Sequence, residues 1–250
     1  MLTDSDVEQN TSFTVPVTQN WNRYTDADHE VWQILFAKRM EQLDKTASRI
    51  FLDGASIIGL APSEIPDLKE VNHRLEPRTG WNAVAVGGFL PAKDFFASLS
   101  RRRFPTTVTI RSRESIDYVP EPDIFHDVFG HVPLHSDPPF ANFLQRFGQA
   151  AMMARTPAEV EMMARLFWFT IEFGLIDENS KPKIYGSGLI SSSGDAANAL
   201  GPSCDRRPFT LDGVISQPFR IDQLQDTLFV VDAFDQLFDA VDQIIERISK

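Results

Sequence analysis

Residues 156–175 read TPAEVEMMARLFWFTIEFGL. Thr156 stands as an N-cap, and Pro157 takes the first helical position, where its missing N–H costs nothing. Glu159, three residues after the cap, completes the reciprocal capping box. Gly174 is placed to end the helix. The segment RLFWFTIEFGLI is apolar on every side, which assigns this helix end to a core rather than a surface. Glu172 lies within it. An ionised carboxylate there costs several kcal/mol unless it meets a cation, a partner or a proton. Arg165, seven residues earlier, is about 10 Å away along a helix axis.

The flanking chain agrees with a helical interior. TDADHEVWQILFAKRMEQL from Thr25 predicts a capped amphipathic helix with Val31, Leu35 and Leu43 buried. SEIPDLKEVNHRLEPRTGW and PAKDFFASLS predict two shorter helices. The last helix is expected from Asp232, with Phe234, Leu237, Phe238, Val241, Ile244, Ile245 and Ile248 on one stripe facing the core. NAVAVGGFLP reads as a strand and then a loop. TTVTI (106–110), KIYG and TLFVVD are short strand candidates. The expected class is mainly α with a small β-sheet, α+β. No repeat or low-complexity tract divides the chain. Residues 1–24 lack periodicity and read as an arm laid over one domain of residues 25–250.

The chain has 250 residues and a net charge of −11, which excludes a broad nucleic-acid or anionic-membrane surface because both require a basic face. Arg101, Arg102 and Arg103 form the one cationic run and read as a solvated turn or as local ion pairs with the acidic excess. Cys204 is the single cysteine, so no intrachain disulfide and no cysteine-rich zinc site is possible. The N-terminal stretch MLTDSDVEQN is unlike a targeting peptide, and no apolar run approaches the ~20 residues of a membrane span. The expected setting is cytoplasmic.

EPDIFHDVFGHVP, residues 121–133, holds His126 and His131. Five residues on a regular helix turn about 500°, leaving the imidazoles about 140° apart. Two exposed histidines are one reading of the pair. The other is a shared metal, which requires the helix to loosen near Gly130. Glu172 favours the second, because two histidines and one carboxylate make the facial triad that binds Fe(II) and leaves positions open. Asp123 either orients an imidazole from behind or complements the helix dipole. His135, after a proline in a loop, is expected on the surface. His29 and His73 have no companion ligands. IYGSGLISSSGD (184–195) lacks the third glycine of a dinucleotide fingerprint and any P-loop lysine. Its hydroxyls remain candidates to line a small-molecule site.

Three segments, PEPDIFHDVFGHVPL, FWFTIEFGL and YGSGLISS, resemble signature segments of the pterin-dependent aromatic amino acid hydroxylases, and the similarity runs from about Tyr24 through the last helix. Within that family the chain most resembles the short bacterial members that act on phenylalanine. The resemblance implies one catalytic domain that binds Fe(II) through His126, His131 and Glu172. A tetrahydropterin would supply two electrons, and O₂ the oxygen that enters the ring. Phe95 matches the aromatic that stacks on the pterin, with Gly88, Leu90 and Phe96 in the adjoining loop. Asp127 and Phe167 match the pterin side of the iron. Arg111 matches the clamp on the substrate carboxylate, Ser191 a hydroxyl in the same pocket, and Pro122, Trp168 and His126 the walls around the substrate ring. Val119 stands where animal relatives carry a threonine hydroxyl.

The implied reaction is a monooxygenation of L-phenylalanine to L-tyrosine. Alternatives are the same chemistry on tryptophan or another aromatic acid, or a zinc hydrolase built on the same two histidines and one glutamate. The expected partners are small molecules only, with neither nucleic acid nor membrane, and the expected state is a monomer or a dimer.

Overall fold

The computed structural model describes residues 17–88, 90–117 and 121–249. Val119 and the first part of the expected arm lie outside the described residues. From residue 17 the arm is pinned to the body. Gln19 Nε2 donates to the Pro66 carbonyl at 3.0 Å, Trp21 Nε1 to Ile65 at 2.6 Å, and the Tyr24 hydroxyl to Val108 at 2.6 Å.

Helix α1 (Asp26–Thr46) starts at the expected Thr25, whose hydroxyl exchanges bonds with Asp28 in a capping box. Val31, Trp32, Leu35, Arg39 and Leu43 are its buried residues, so the stripe includes an arginine. Helices α2 (Arg49–Ile57) and α3 (Leu68–Thr79) follow, each opened by a side-chain cap, Ser48 and Asp67. Strand β1 (Asn82–Val86), α4 (Ala92–Leu99) and β2 (Arg103–Thr107) form a parallel two-stranded unit in which Ala83 pairs with Phe104. On the other edge of β1, the Asn72 amide from α3 accepts from the Ala83 N–H at 2.7 Å and donates to its carbonyl at 2.9 Å.

The chain then winds as a π-helix over Phe125–His131 and a 3₁₀ turn over Val132–Ser136 before α5 (Pro138–Ala151). Helix α6 (Pro157–Phe167) begins with the expected Thr156–Glu159 box and runs directly into a second π-helical segment, Trp168–Glu172. Strands β3 (Leu175–Asp177) and β4 (Pro182–Ile184) are antiparallel. Helices α7 (Ser187–Ser191) and α8 (Ser193–Leu200), strand β5 (Asp205–Pro208), helix α9 (Leu211–Ser216), strand β6 (Thr227–Val231) and helix α10 (Asp235–Ile248) complete the order. The second sheet runs β4-β3-β6-β5.

The fold is mainly helical, as expected, but among the described residues it has two small sheets rather than one. Strand β2 starts at Arg103, ahead of the expected TTVTI, and takes in Pro105. Proline is tolerated because a two-stranded sheet consists only of edges. Thus Arg103 belongs to a strand, not to a solvated turn. Strands β3 and β5 escaped the sequence reading because the first is very short and the second, DRRP, is a charged edge strand whose partner alone makes it one.

Glycine 54 sets how α2 meets the segment after the first π-helix. A Cβ there would overlap the carbonyl oxygen of Pro133. In an open helix Gly→Ala gains up to about 1 kcal/mol, whereas overpacking against backbone costs about 1–3 kcal/mol. The overlap decides the sign, so Gly54→Ala is expected to lower the urea midpoint of unfolding.

Candidate active site

Both segments that carry the candidate ligands are π-helical, and this overturns the divergence expected from five-residue spacing. A π-helix closes i→i+5 hydrogen bonds, so residues five apart return to nearly the same face. His126 and His131 sit at that spacing within the first segment, with ring centroids 5.1 Å apart at 85°. Glu172 ends the second segment. Ligand atoms of His126, His131 and Glu172 lie within 4.8 Å of one another. His131 Nε2 is 3.2 Å from Glu172 Oε1, and His126 Nε2 is 3.8 Å from Oε2. Two imidazole nitrogens and one carboxylate oxygen could hold a divalent metal ion and leave one side of it open.

Burial opposes the charge on Glu172. The imidazoles of His131 and His126 and the Ser187 hydroxyl outweigh that effect and hold its pKa at about 2. Arg165 takes no part: it bonds Glu161 and the Ile215 carbonyl. His126 Nδ1 lies 2.9 Å from Ser191 Oγ, and that hydroxyl donates to the Ser187 carbonyl at 2.8 Å. With its proton committed there, Ser191 Oγ is placed to accept from His126 Nδ1, the tautomer that would present Nε2 to a metal.

Asp123 accepts from Arg111 Nε at 2.8 Å and Nη2 at 2.9 Å, a buried bidentate pair. It also accepts from the backbone N–H of His126 at 3.0 Å. Of the two readings of Asp123, this contact matches the one at the helix start: it holds the backbone of the ligand, while Ser191 meets the ring. Burial disfavours its ionisation, but Arg111 and the backbone N–H groups of His126 and Arg111 keep it below the usual carboxylate range. The Arg111 guanidinium lies 5.8 Å from the Phe125 ring centroid. Asp127 is buried beside the histidines and accepts from the Thr107 N–H at 2.7 Å and hydroxyl at 2.8 Å. Burial still pushes its pKa up.

Aromatic rings enclose the remaining space. Phe95 meets Phe104 at 6.0 Å and Phe167 at 5.7 Å, and Phe104 lies 4.6 Å from the His131 ring. Phe96 packs on Phe147 at 5.7 Å. Trp168, half-buried and one helical turn before Glu172, stacks on Phe219 at 4.6 Å and 19°. Gly88 follows β1 with φ of 149°, Leu90 is half-buried just before α4, and Pro122 is exposed two residues ahead of Ile124. His135 corrects another expectation. It is fully buried, 4.7 Å from Trp81 and 4.9 Å from Phe104, and burial drives its pKa well down, so it packs as a neutral ring.

Four residues of the site's surroundings escaped the sequence reading: Arg39, Phe104, Thr107 and Ser187. Two had a signal. Arg39 falls midway between Leu35 and Leu43, at four-residue steps on the buried stripe, and Ser187 precedes Ser191 by one helical turn.

A family model described as biopterin-dependent aromatic amino acid hydroxylase matches residues 9–250. The chain is 41% identical over 220 residues to phenylalanine-4-hydroxylase of Ralstonia nicotianae, covering 88% of this chain and 70% of that one. A crystal structure of phenylalanine hydroxylase from Chromobacterium violaceum with bound iron(III) and oxidised cofactor 7,8-dihydrobiopterin superposes with a TM-score of 0.88. Identity there is 38%, with 95% of this chain and 86% of that chain covered. An iron- and phenylalanine-bound structure of the same enzyme gives a TM-score of 0.86 at 36% identity, covering 97% and 89%.

The Arg111–Asp123 pair is open to a stability measurement. Asp123 has a folded pKa below its unfolded value of ~3.9, so its contribution is complete above that pH and is lost as pH falls through the folded pKa. Asp123→Asn leaves a buried guanidinium without its counter-charge, at a cost of about 3–5 kcal/mol at neutral pH. Denaturant unfolding of both proteins should show that difference at pH 7 and a shrinking one below about pH 4.

Proposed function

The chain belongs to the biopterin-dependent aromatic amino acid hydroxylases, and from that premise we propose that it is an Fe(II)- and tetrahydropterin-dependent monooxygenase converting L-phenylalanine to L-tyrosine with O₂. The observation that carries the metal assignment is the convergence of His126, His131 and Glu172 at the ends of two π-helical segments. When bound, the iron and the pterin supply O₂ activation and the two electrons it consumes.

The chain's own residues bind, orient and exclude water. Among the described residues, Nη1 of Arg111 meets only the Ile116 carbonyl, at 3.4 Å, because Asp123 takes the other edge of the guanidinium. That leaves Nη1 to receive the substrate carboxylate. Pro122 and Trp168 wall the substrate ring, and the stack of Phe219 on the indole backs that wall. Phe95, with Gly88, Leu90 and Phe96 in its loop, receives the pterin opposite Phe167, and Asp127 borders the pterin and the iron. These apolar surfaces keep water from the reacting atoms. The catalytic unit is residues 25–250 with residues 1–24 as its arm, acting as a monomer in the cytoplasm. Among the described residues no helix is long and apolar enough to cross a membrane.

The deciding experiment incubates the protein with phenylalanine and tryptophan in competition and identifies products by mass and NMR. Tyrosine is expected only when iron, tetrahydropterin and O₂ are all present. Tyrosine formed without pterin, or none with all three, sinks the assignment, and hydroxytryptophan as the main product reassigns the substrate. Glu172→Ala should lose both tightly bound iron, by metal analysis, and turnover. Arg111→Ala should raise the KM for the amino acid roughly ten- to a hundredfold, the worth of a charged hydrogen bond of about 1.5–3 kcal/mol. It should also lower the denaturant midpoint, because it leaves Asp123 buried without its partner.

A further inference from the structure

Ser187 opens α7 and is fully buried. Its Oγ lies 2.8 Å from Glu172 Oε2 and 3.4 Å from the Ile171 carbonyl. A hydroxyl has one proton and an ionised carboxylate only accepts, so the shorter contact is a donation to Oε2. The other carboxylate oxygen, Oε1, faces His131 Nε2 at 3.2 Å, while His126 stands off from Oε2 at 3.8 Å. The two oxygens of Glu172 are therefore not equivalent.

We propose that Ser187 is a positioning residue for the metal: its hydroxyl occupies Oε2, so that Glu172 ligates through Oε1 alone. Ligation through one oxygen leaves more of the metal's positions open to other ligands, and the inference rests on the iron assignment above. The site is built to hold this hydroxyl in place. Helix α7 is a little over one turn and too short to be stable by itself. Arg39, buried in α1, donates Nε to the Ile190 carbonyl at 2.7 Å and Nη2 to the Leu189 carbonyl at 2.9 Å. A guanidinium at the carbonyl end of the turn satisfies groups that have no helical partner and complements the local dipole. On the opposite side, a Cβ at Gly130 would come within 3.1 Å of the Ser187 carbonyl oxygen, so glycine there lets α7 approach the first π-helix closely.

The test uses Co(II) and Fe(II) as probes of the metal-free protein. Affinity is read by chelator competition, and coordination by the visible spectrum of bound Co(II), which changes with ligand number. Removing a group that orients a metal ligand typically costs 10–100-fold in affinity, so Ser187→Ala is expected to raise both dissociation constants about that much and to alter the cobalt spectrum. Ser187→Thr, which keeps the hydroxyl, is expected to restore both. The proposal is overturned if Ser187→Ala binds Co(II) with wild-type affinity and spectrum. It is equally overturned if Ser187→Thr, folded by far-UV circular dichroism, loses affinity as alanine does. Absence of iron binding or of pterin-dependent hydroxylation in the wild type overturns the monooxygenase reading instead, so the two failures are separable.

Discussion

A carboxylate set into an aromatic core has to be met by positive charge, and the arrangement around Glu172 follows from that requirement. Three buried or nearly buried carboxylates crowd this region, and each is answered differently. Asp123 has a guanidinium in bidentate contact. Asp127 has only the donors of Thr107 and the neighbouring imidazoles, which do not fully offset its burial. Glu172 has two imidazoles and a hydroxyl. Arg111 is matched by Asp123, so Asp127 and Glu172 leave an excess of negative charge beside the histidines. A divalent cation held by the nitrogens of His126 and His131 together with Glu172 is a species that discharges it.

The backbone winding is what places these ligands together. A single π-helical turn is rare and weaker than the α-helix it replaces, yet the chain contains one at each ligand-bearing segment. These turns explain where sequence reading succeeded and where it stopped. Side-chain types revealed the core and the charge: the capping boxes at Thr25 and Thr156, the apolar surroundings of Glu172, and the stripe on α10 are all legible as composition and period. Winding is not legible in that way. A pattern scored at 100° per residue assumes the α-helix whose departure brings His126 and His131 together. His135 was misread for a related reason, since its burial comes from Trp81, Phe104 and Phe140, which lie far from it in sequence or on another element. Strand β5 is a strand only because β6 lies beside it.

The aromatic shell joins these parts mechanically. Phe104 belongs to β2, yet touches His131, His135 and Phe95, so the parallel strand pair, the first π-helix and α4 share one ring. Phe167 extends that contact to α6, immediately before the segment ending in Glu172. Interiors packed at crystal-like density transmit displacement instead of absorbing it. Phe104 thus stands in ring contact with both Phe95 and His131.

Asn72 has a significance that reaches beyond the pocket. A two-stranded sheet has an unprotected edge on each side, and such edges recruit further strands from other molecules. Here a side-chain amide supplies the acceptor and donor that a third strand would bring to Ala83, so the rung is already occupied from within. Another copy of the chain would have to displace the amide of α3 before it could add to β1. One residue, remote from the iron ligands, thereby completes the outward rung of β1 at Ala83 from within the chain.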